Sequence, residues 1–449
     1  MTSAKGSQPI TYTRYQQALI DQLLKEAGPG SAHRLVAPVG SGKSVGIAGA
    51  VTALVKAGRA SRVLVLLPAP LRQQWTQLLE QYGEETIMLD GRSIRIVRNE
   101  FFAHGANWPE GVFTMSIDLA KREDVRELIA SLPWDYVVID EAHNLTAGCR
   151  ELVRALLAKS SPPGVLLATA SPDKDTHEWV GRIVEIDWRE AVEKLLQERP
   201  DDSRRTDTLV TYPYRLTPNE VTLADRITAT AKQLGPIKGM LLLRSAASSA
   251  LSLEESLNRL VEATEPAAKD FEALVSLLDS VEGLSTDSKL DCLKALLVEL
   301  SQSGSRHAVL FCDYQATLNY LRSAVQDLGL ANFVIHAGMT AEARTNAFAR
   351  FTEDGGFLIA TTAASQLLSM SFVDAVIHYD LPFSSRAFAE RVGRYRRYGS
   401  SIACTAYCLV DETQSLPIEA IQLKIARIPD LESMEVDIDI DTLFEKALG

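Results

Sequence analysis

Cysteine is scarce in this chain: five in 449 residues, at positions 149, 292, 312, 404 and 408. Only Cys404 and Cys408 are close in sequence, and no second pair completes a zinc site. That excludes a disulfide scaffold and a zinc module, and leaves reduced, mostly buried thiols of a cytoplasmic protein as the expectation. Long apolar runs are missing too. No uncharged apolar stretch reaches about 18 residues, so no membrane span is expected. Met1 to Ile10 is short and polar and lacks the apolar centre of a signal peptide. Aromatics make up only 7% of the chain. Its tryptophans, Trp75, Trp108, Trp134, Trp179 and Trp188, are open to two uses, stacking on bases or packing in a core, of which packing is the commoner. Nor is there an excess of basic charge: the net charge is −12. This excludes a protein that coats nucleic acid over its whole surface, but not a local basic groove.

The sharpest basic cluster is Arg386, Arg391, Arg394, Arg396 and Arg397. Acid collects in the tail from Asp430 to Asp441, where Asp437, Asp439 and Asp441 alternate with Val436, Ile438, Ile440 and Leu443. Such a tail is a solvated edge segment or a docking peptide for a protein partner. The remaining composition, 46% hydrophobic and 23% charged, is that of a globular protein. The length exceeds what one core organises and suits two or three domains.

Short apolar runs alternate with helical patterns in two separate blocks, as expected of parallel sheets with crossover helices. The first block places strands at Arg34–Ala37, Val63–Leu67, Val112–Met115, Tyr136–Ile139 and Val165–Thr169. The second places them at His307–Cys312, Asn332–His336, Gly356–Thr361, Ala375–Tyr379 and Ala403–Leu409. Each run is nearly continuous, as a strand covered on both faces requires. Between the blocks strand signals thin out. Trp188–Glu198, Pro218–Gln233, Leu251–Glu262 and Lys269–Leu284 carry helical spacing, and Pro200–Asp207 is a charged linker. The expected organisation is a first lobe over 1–199, a mainly helical connector over 200–283, a second lobe over 284–425 and the acidic tail over 426–449.

The strongest chemical signal is Ala37-Pro38-Val39-Gly40-Ser41-Gly42-Lys43-Ser44, lying between a strand and an apolar helix. Glycines at 40 and 42 let the backbone curl so that N–H groups meet phosphate oxygens, and the helix N-terminus adds partial positive charge. Lys43 is placed to reach the β- and γ-phosphates of ATP, and Ser44 to hold Mg²⁺. Val39, Gly40, Ser41 and Gly42 supply the cradle. Ala37 stands where the strict pattern has glycine. The second signal is Tyr136-Val137-Val138-Ile139-Asp140-Glu141-Ala142-His143, an apolar strand ending in two acids at the edge where parallel sheets place ligands. Asp140 suits the Mg²⁺ shell and Glu141 the orientation and deprotonation of the attacking water. The remaining histidines show no metal-ligand spacing.

Asp140-Glu141-Ala142-His143 resembles the DEAH box of superfamily 2 helicases, and the likeness runs from about Arg14 to Gly399. It is most similar to the branch that holds chromatin-remodelling ATPases and the bacterial translocase that recycles RNA polymerase. Arg14-Tyr15-Gln16 is similar to the branch's entry motif, which implies that Gln16 contacts adenine. Val63–Trp75 resembles motif Ia, and Thr169-Ala170-Ser171-Pro172 sits where the coupling motif belongs. Arg244–Ser249 is similar to a stretch of the branch's connector, and Thr286–Leu290 to the entry of its second lobe. His336–Met339, Ala360–Ser365, Tyr379–Phe383 and Glu390–Arg397 resemble successive second-lobe motifs. The last match implies that Arg394 and Arg397 are arginine fingers, whose always-charged guanidinium groups stabilise charge building on the γ-phosphate. His143 either bridges nucleotide state to the coupling motif through Thr169 or is a hydrogen-bonded structural histidine.

Two departures stand out. Glu390 replaces the usual glutamine of motif VI, and Gln366-Leu367-Leu368-Ser369-Met370-Ser371 replaces a Glu-Gly stretch in motif V, removing backbone freedom there. They bear on the coupling of hydrolysis to strand movement rather than on ATP binding. The resemblance implies an α/β fold of two RecA-like parallel-sheet lobes of the P-loop NTPase kind. It further implies ATP and Mg²⁺ as cofactors, and an ATP hydrolase that moves on nucleic acid, DNA favoured over RNA. The rival reading is an ATP-gated interaction subunit that depends on a protein partner and translocates little or not at all.

Overall fold

The computed structural model describes residues 12–38, 40–104, 108–142, 145, 147–170, 183–197, 208–365, 370–382, 385–395 and 403–416. The chain divides into two compact units, Met1–Pro200 and Asp201–Gly449.

The first unit is built on a sheet of strands β1 (Ala32–Val36), β2 (Arg62–Leu67), β3 (Thr86–Leu89), β4 (Gly111–Ser116), β5 (Tyr136–Ile139), β6 (Gly164–Thr169) and β7 (Val184–Asp187). Their order is β3-β4-β2-β5-β6-β1-β7, and every pairing is parallel. Helices α1 (Arg14–Glu26), α2 (Lys43–Lys56), α3 (Arg72–Gln81), α4 (Gly91–His104), α5 (Ile117–Ala120), α6 (Glu123–Ser131), α7 (Ala147–Leu157) and α8 (Arg189–Gln197) make the connections. Strands β1, β5 and β6 are buried at every position; the near-continuous apolar sequence of β5 and β6 follows from being covered on both faces, whereas β1 also buries His33 and Arg34. Helix α1 starts at a capping box in which Thr13 and Gln16 satisfy each other's backbone N–H groups. Small residues on α2 admit close neighbours. A Cβ at Gly46 would lie 2.7 Å from the Trp188 ring, so the indole requires glycine there.

The second unit holds strands β8 (Thr208–Tyr214), β9 (His307–Cys312), β10 (Asn332–Ile335), β11 (Gly356–Thr361), β12 (Ala375–His378) and β13 (Thr405–Asp411). All pair in parallel, in the order β10-β11-β9-β12-β13-β8. Its helices are α9 (Pro218–Leu234), α10 (Pro236–Ser248), α11 (Ala250–Glu262), α12 (Phe271–Glu282), α13 (Ser288–Gln302), α14 (Gln315–Asp327), α15 (Ala341–Asp354), α16 (Thr362–Ser365) and α17 (Ser385–Val392). Successive β9 side chains enter opposite cores. Val309 and Phe311 pack with Phe351 and Phe388 on one face, while Ala308, Leu310 and Cys312 pack with Leu293 and Leu321 on the other. Helices α9 to α12 bury a separate cluster that includes Ile227, Leu242, Leu257 and Leu274.

The ten strands expected from sequence are all present within two residues at each end. Three more exist. β3, β7 and β8 are edge strands. β3 and β7 bury one residue of four each; β7 shows no apolar run, and β3 has only a short one, Ile87 to Leu89. β8 begins directly after the charged linker and pairs along its whole length with β13. The segment expected as a helical connector therefore opens with a strand of the second sheet before its four helices. Of the five cysteines, Cys149, Cys312, Cys404 and Cys408 are buried, Cys292 is half-buried, and all five are free thiols. No helix among the described residues is long and apolar enough to cross a membrane.

Candidate active site

Strands β1 and β5 are both parallel members of the first sheet, separated by β6, so their C-terminal ends emerge on the same edge. The loop after β1 turns at Gly40 (φ +84°) and Gly42 (φ +76°), in the left-handed region that glycine adopts without strain. At Gly42 a Cβ would also lie 2.5 Å from Gln16 Nε2. Helix α1 ties this loop down from one side. The Tyr15 hydroxyl donates to the Ser41 carbonyl at 2.8 Å, and Gln16 Nε2 donates to the Gly42 carbonyl at 3.1 Å. Gln16 Oε1 accepts from the Thr13 backbone N–H at 2.9 Å, so both ends of the carboxamide expected at adenine bind the protein's own backbone. Gln16 thus lies against the phosphate loop.

Lys43 leads off α2 and meets the acids that end β5. Its Nζ is 2.9 Å from Glu141 Oε1 and 3.3 Å from Asp140 Oδ1. Burial opposes the charge on Lys43, but the carboxylates of Glu141 and Asp140 outweigh it and hold the pKa above the ordinary lysine range. Ser44 Oγ donates to Asp140 Oδ2 at 3.4 Å. Asp140 also accepts from the Glu141 backbone N–H at 2.9 Å and from Trp75 Nε1 at 3.0 Å. Glu141 has φ +53°, one of two such values among the described non-glycine residues, the other being Gln414. Backbone in that region is costly for a residue with a Cβ and is met at functional turns.

The residues present fit a nucleoside triphosphate with Mg²⁺. Ser41 Oγ is buried and has no hydrogen-bond partner among the described residues, and a ligand oxygen would satisfy it. Ser44 and Asp140 offer hard oxygen donors. Among the described residues no group of three or more His, Cys, Asp or Glu side chains could hold a metal by itself. One carboxylate and one hydroxyl suit Mg²⁺, which takes its other ligands from substrate phosphates and water.

The second unit carries a buried polar junction. Asp380, just past β12, accepts from Lys289 Nζ at 3.2 Å, from Ser248 Oγ at 2.7 Å and from the Asp313 backbone N–H at 2.8 Å. Its own carbonyl accepts from the Arg391 guanidinium, which also reaches Asp313 Oδ1 at 3.0 Å and Thr362 Oγ1. Lys289 donates further to the Ala247 carbonyl at 2.6 Å. The end of α10, the start of α13, the ends of β9, β11 and β12, and α17 thus meet in one network around Asp380, Asp313 and Arg391. Arg394 is half-buried in the turn after α17, where its carbonyl accepts from Met370 N–H at 3.1 Å. Val39, His143, Trp179, Gln366 to Ser369, Arg397 and the acidic tail lie outside the described residues. So do Ser171 and Pro172 of the expected coupling motif, while Thr169 ends β6, buried.

Trp75, Trp108, Trp134 and Trp188 are all buried, which leaves none of these four as a base platform. Sequence reasoning missed two site features. One is the bond from Trp75 to Asp140. The other is Asp313, whose signal was present: a carboxylate directly after the apolar run His307–Cys312, as Asp140 follows Tyr136–Ile139.

The family described as "Type III restriction enzyme, res subunit" matches residues 9–174, and "Helicase conserved C-terminal domain" matches residues 288–399. The chain belongs to the superfamily 2 helicases and translocases. Like them it is an ATP-dependent, ATP-hydrolysing enzyme of the nucleic-acid-binding kind. Among relatives, this superfamily 2 chain is 25% identical over 402 residues to the uncharacterized ATP-dependent helicase YqhH of Bacillus subtilis, spanning 80% of this chain and 69% of that protein. It is 23% identical over 426 residues to the RNA polymerase-associated protein RapA of Erwinia tasmaniensis, spanning 80% of this chain but only 44% of RapA. The fold is shared with the Hef helicase domain of Pyrococcus furiosus, at TM-score 0.57 and 16% identity, covering 91% of this chain and 97% of that one. It is shared also with S. cerevisiae Dbp5 bound to RNA and ADP BeF3, at TM-score 0.54 and 14% identity, covering 97% and 94%.

Proposed function

We propose that this chain is a DEAH-box motor that couples ATP hydrolysis to movement along duplex DNA. The observation that carries the reading is the contact of Lys43, Ser44, Asp140 and Glu141 at the C-terminal edge of the first sheet. In that arrangement Lys43, kept protonated, binds the β- and γ-phosphates. Ser44 and Asp140 would hold Mg²⁺, which when bound would neutralise charge on the phosphate oxygens. Glu141 orients the attacking water and takes its proton. Arg394 and Arg397 complete the site on closure of the second lobe over the first, and an arginine supplied in this way is worth about 10³–10⁵ in rate. Closure on binding and opening after hydrolysis would ratchet the lobes along a strand.

DNA is favoured over RNA by the branch resemblance, with Trp75 closing its motif Ia. One observation supports a second reading, an ATP-gated interaction subunit that needs a protein partner: the altered motif V at Gln366–Ser371. Displacement of a third strand from a triplex, measured with ATP and with ADP, tests the motor directly. ATP-dependent displacement without separation of the duplex is the expected result. Nucleotide binding with no displacement on any track would favour the interaction subunit.

A further inference from the structure

One stretch of the second unit runs against the charge of the chain. Between Asp225 and Glu254 there is no acidic residue, only the basic Arg226, Lys232, Lys238 and Arg244, in a chain of net charge −12. The stretch covers most of α9, all of α10 and the start of α11. Helix α10 buries Leu242, Leu243 and Ala247 in the helical cluster but turns Ile237 and Leu241 to solvent. Ile237 is 89% exposed, the highest value among the large apolar side chains of the described residues, and Leu241 is 43% exposed. Four residues apart, they share one face of the helix, about 6 Å from each other along its axis. Lys238 stands beside them, and Lys232 precedes them near the end of α9. Both lysines are exposed, with no hydrogen bond or ion pair among the described residues. An apolar pair flanked by cations, with no acid near in sequence, suits an occupant that is both apolar and acidic.

This chain carries such a segment. Residues 430–441 hold six acids and no basic residue, and Val436, Ile438 and Ile440 alternate with Asp437, Asp439 and Asp441. In an extended chain alternate side chains share a face and recur about every 6.7 Å, so Ile438 and Ile440 match the spacing of Ile237 and Leu241. The aspartates then stand on the other face, and a lysine within about 8 Å is felt there at physiological salt. The reach is sufficient. Beyond β13 the chain enters the same helical cluster at Leu416, which is buried in it. Val436 lies 20 residues further on. A random coil of that length spans about 25 Å, and α10, with 13 residues, is about 20 Å long.

We infer that segment 435–443 docks on the exposed face of α10, with Ile438 and Ile440 over Ile237 and Leu241 and its aspartates paired with Lys232 and Lys238. The acidic tail is thus an internal ligand of the helical cluster. The contact lies within the second unit and is independent of the nucleic-acid reading above.

The test is amide hydrogen exchange of the full chain, read at 435–443, with β9 and α13 as internal controls of the fold. In the wild type the segment should exchange several-fold more slowly than a synthetic peptide of the same sequence. Ile237→Ser/Leu241→Ser should bring it to the peptide's rate while β9 and α13 keep their protection, because both substituted side chains are exposed. Lys232→Glu/Lys238→Glu should lose part of the protection, and adding Asp437→Lys/Asp439→Lys in the same chain should restore it. Exchange at the peptide's rate in the wild type overturns the inference. So does protection that survives Ile237→Ser/Leu241→Ser, which would place the segment elsewhere, and so does a charge swap that restores nothing. Protection that grows with protein concentration would assign the face to the tail of a second copy and overturn docking within one chain.

Discussion

Trp75 Nε1 donates a hydrogen bond to Asp140 Oδ2 at 3.0 Å. Both side chains are 1% exposed, so the indole and the carboxylate meet out of reach of water. The tryptophan that ends motif Ia thus fixes the orientation of the carboxylate proposed to hold Mg²⁺, a role distinct from packing or base stacking.

Trp75→Phe keeps an aromatic ring, smaller than the indole, and removes the donor. Outer partners of metal ligands are worth roughly 10–100-fold in metal affinity. The Mg²⁺ concentration for half-maximal ATP turnover should rise at least roughly tenfold, with stability falling by about 1–3 kcal/mol for the lost buried bond. A Mg²⁺ titration of turnover with a parallel melt checks this. An unchanged Mg²⁺ requirement would reduce Trp75 to a packing residue.

Lys43→Ala should abolish turnover and weaken nucleotide binding, because it removes the cation that pairs with Asp140 and Glu141 from the phosphate loop. Glu141→Gln should bind nucleotide and fail to hydrolyse it. Fluorescent-nucleotide binding measured beside phosphate release separates the two effects. Turnover at the wild-type rate in Glu141→Gln would remove the assignment of the base.

Asp380→Ala should be the most damaging change in the second unit. It leaves Lys289, with its side chain 11% exposed, facing Tyr379 without its carboxylate. Stripping one partner from a buried ion pair costs about 3–5 kcal/mol. Asp380→Asn, which keeps an acceptor for Ser248, should cost less. Urea unfolding of both variants checks the order, and a neutral Asp380→Ala would mean that water replaces the carboxylate.

How far the sequence carried depended on burial. Most of the ten strands read from the sequence show as apolar runs because both faces are covered, as in Tyr136–Ile139, while β10 shows as one at a sheet edge with only Ile335 buried. The edge strand β7 escaped because exposure restores polar residues, as in Glu185 and Asp187, whereas β3 is apolar but only four residues long and β8 contains Pro213, which argues against a strand. Lys43, Ser44, Asp140 and Glu141 were legible because phosphate chemistry constrains both residue type and spacing. The Asp380 junction was not, since its members come from separate parts of the second unit that only the fold brings together. Its pieces lay within the matched stretches Arg244–Ser249, Thr286–Leu290 and Tyr379–Phe383, without a hint that Ser248, Lys289 and Asp380 touch.

His378 gives a pH signature. Burial, reinforced by the Arg391 charge, holds its pKa well below the ordinary histidine value, so it is neutral in the folded chain. On unfolding it regains a value of about 6.5. Its contribution to stability is therefore complete above about pH 6.5 and is lost as pH falls through that value towards the depressed folded one. His33 acts in the same direction in the first unit, where burial outweighs Glu26. His378→Asn should be less stable at neutral pH, yet should lose less than the wild type between about pH 7 and 5.5. Equal losses in urea midpoint would show that His378 titrates normally.

Arg394→Ala should leave nucleotide affinity within a few-fold and lower kcat by roughly 10³ or more, if its guanidinium stabilises the transition state. Single-turnover hydrolysis at saturating ATP reads this step without product release. An unchanged kcat would rule out the finger.

The most direct test of the account is steady-state ATP turnover without nucleic acid, then with duplex DNA, single-stranded DNA and RNA, each at low and high salt. The account predicts stimulation by duplex DNA above the others, lost at high salt because the track is held through phosphates. A rate indifferent to all three nucleic acids at both salts would contradict it.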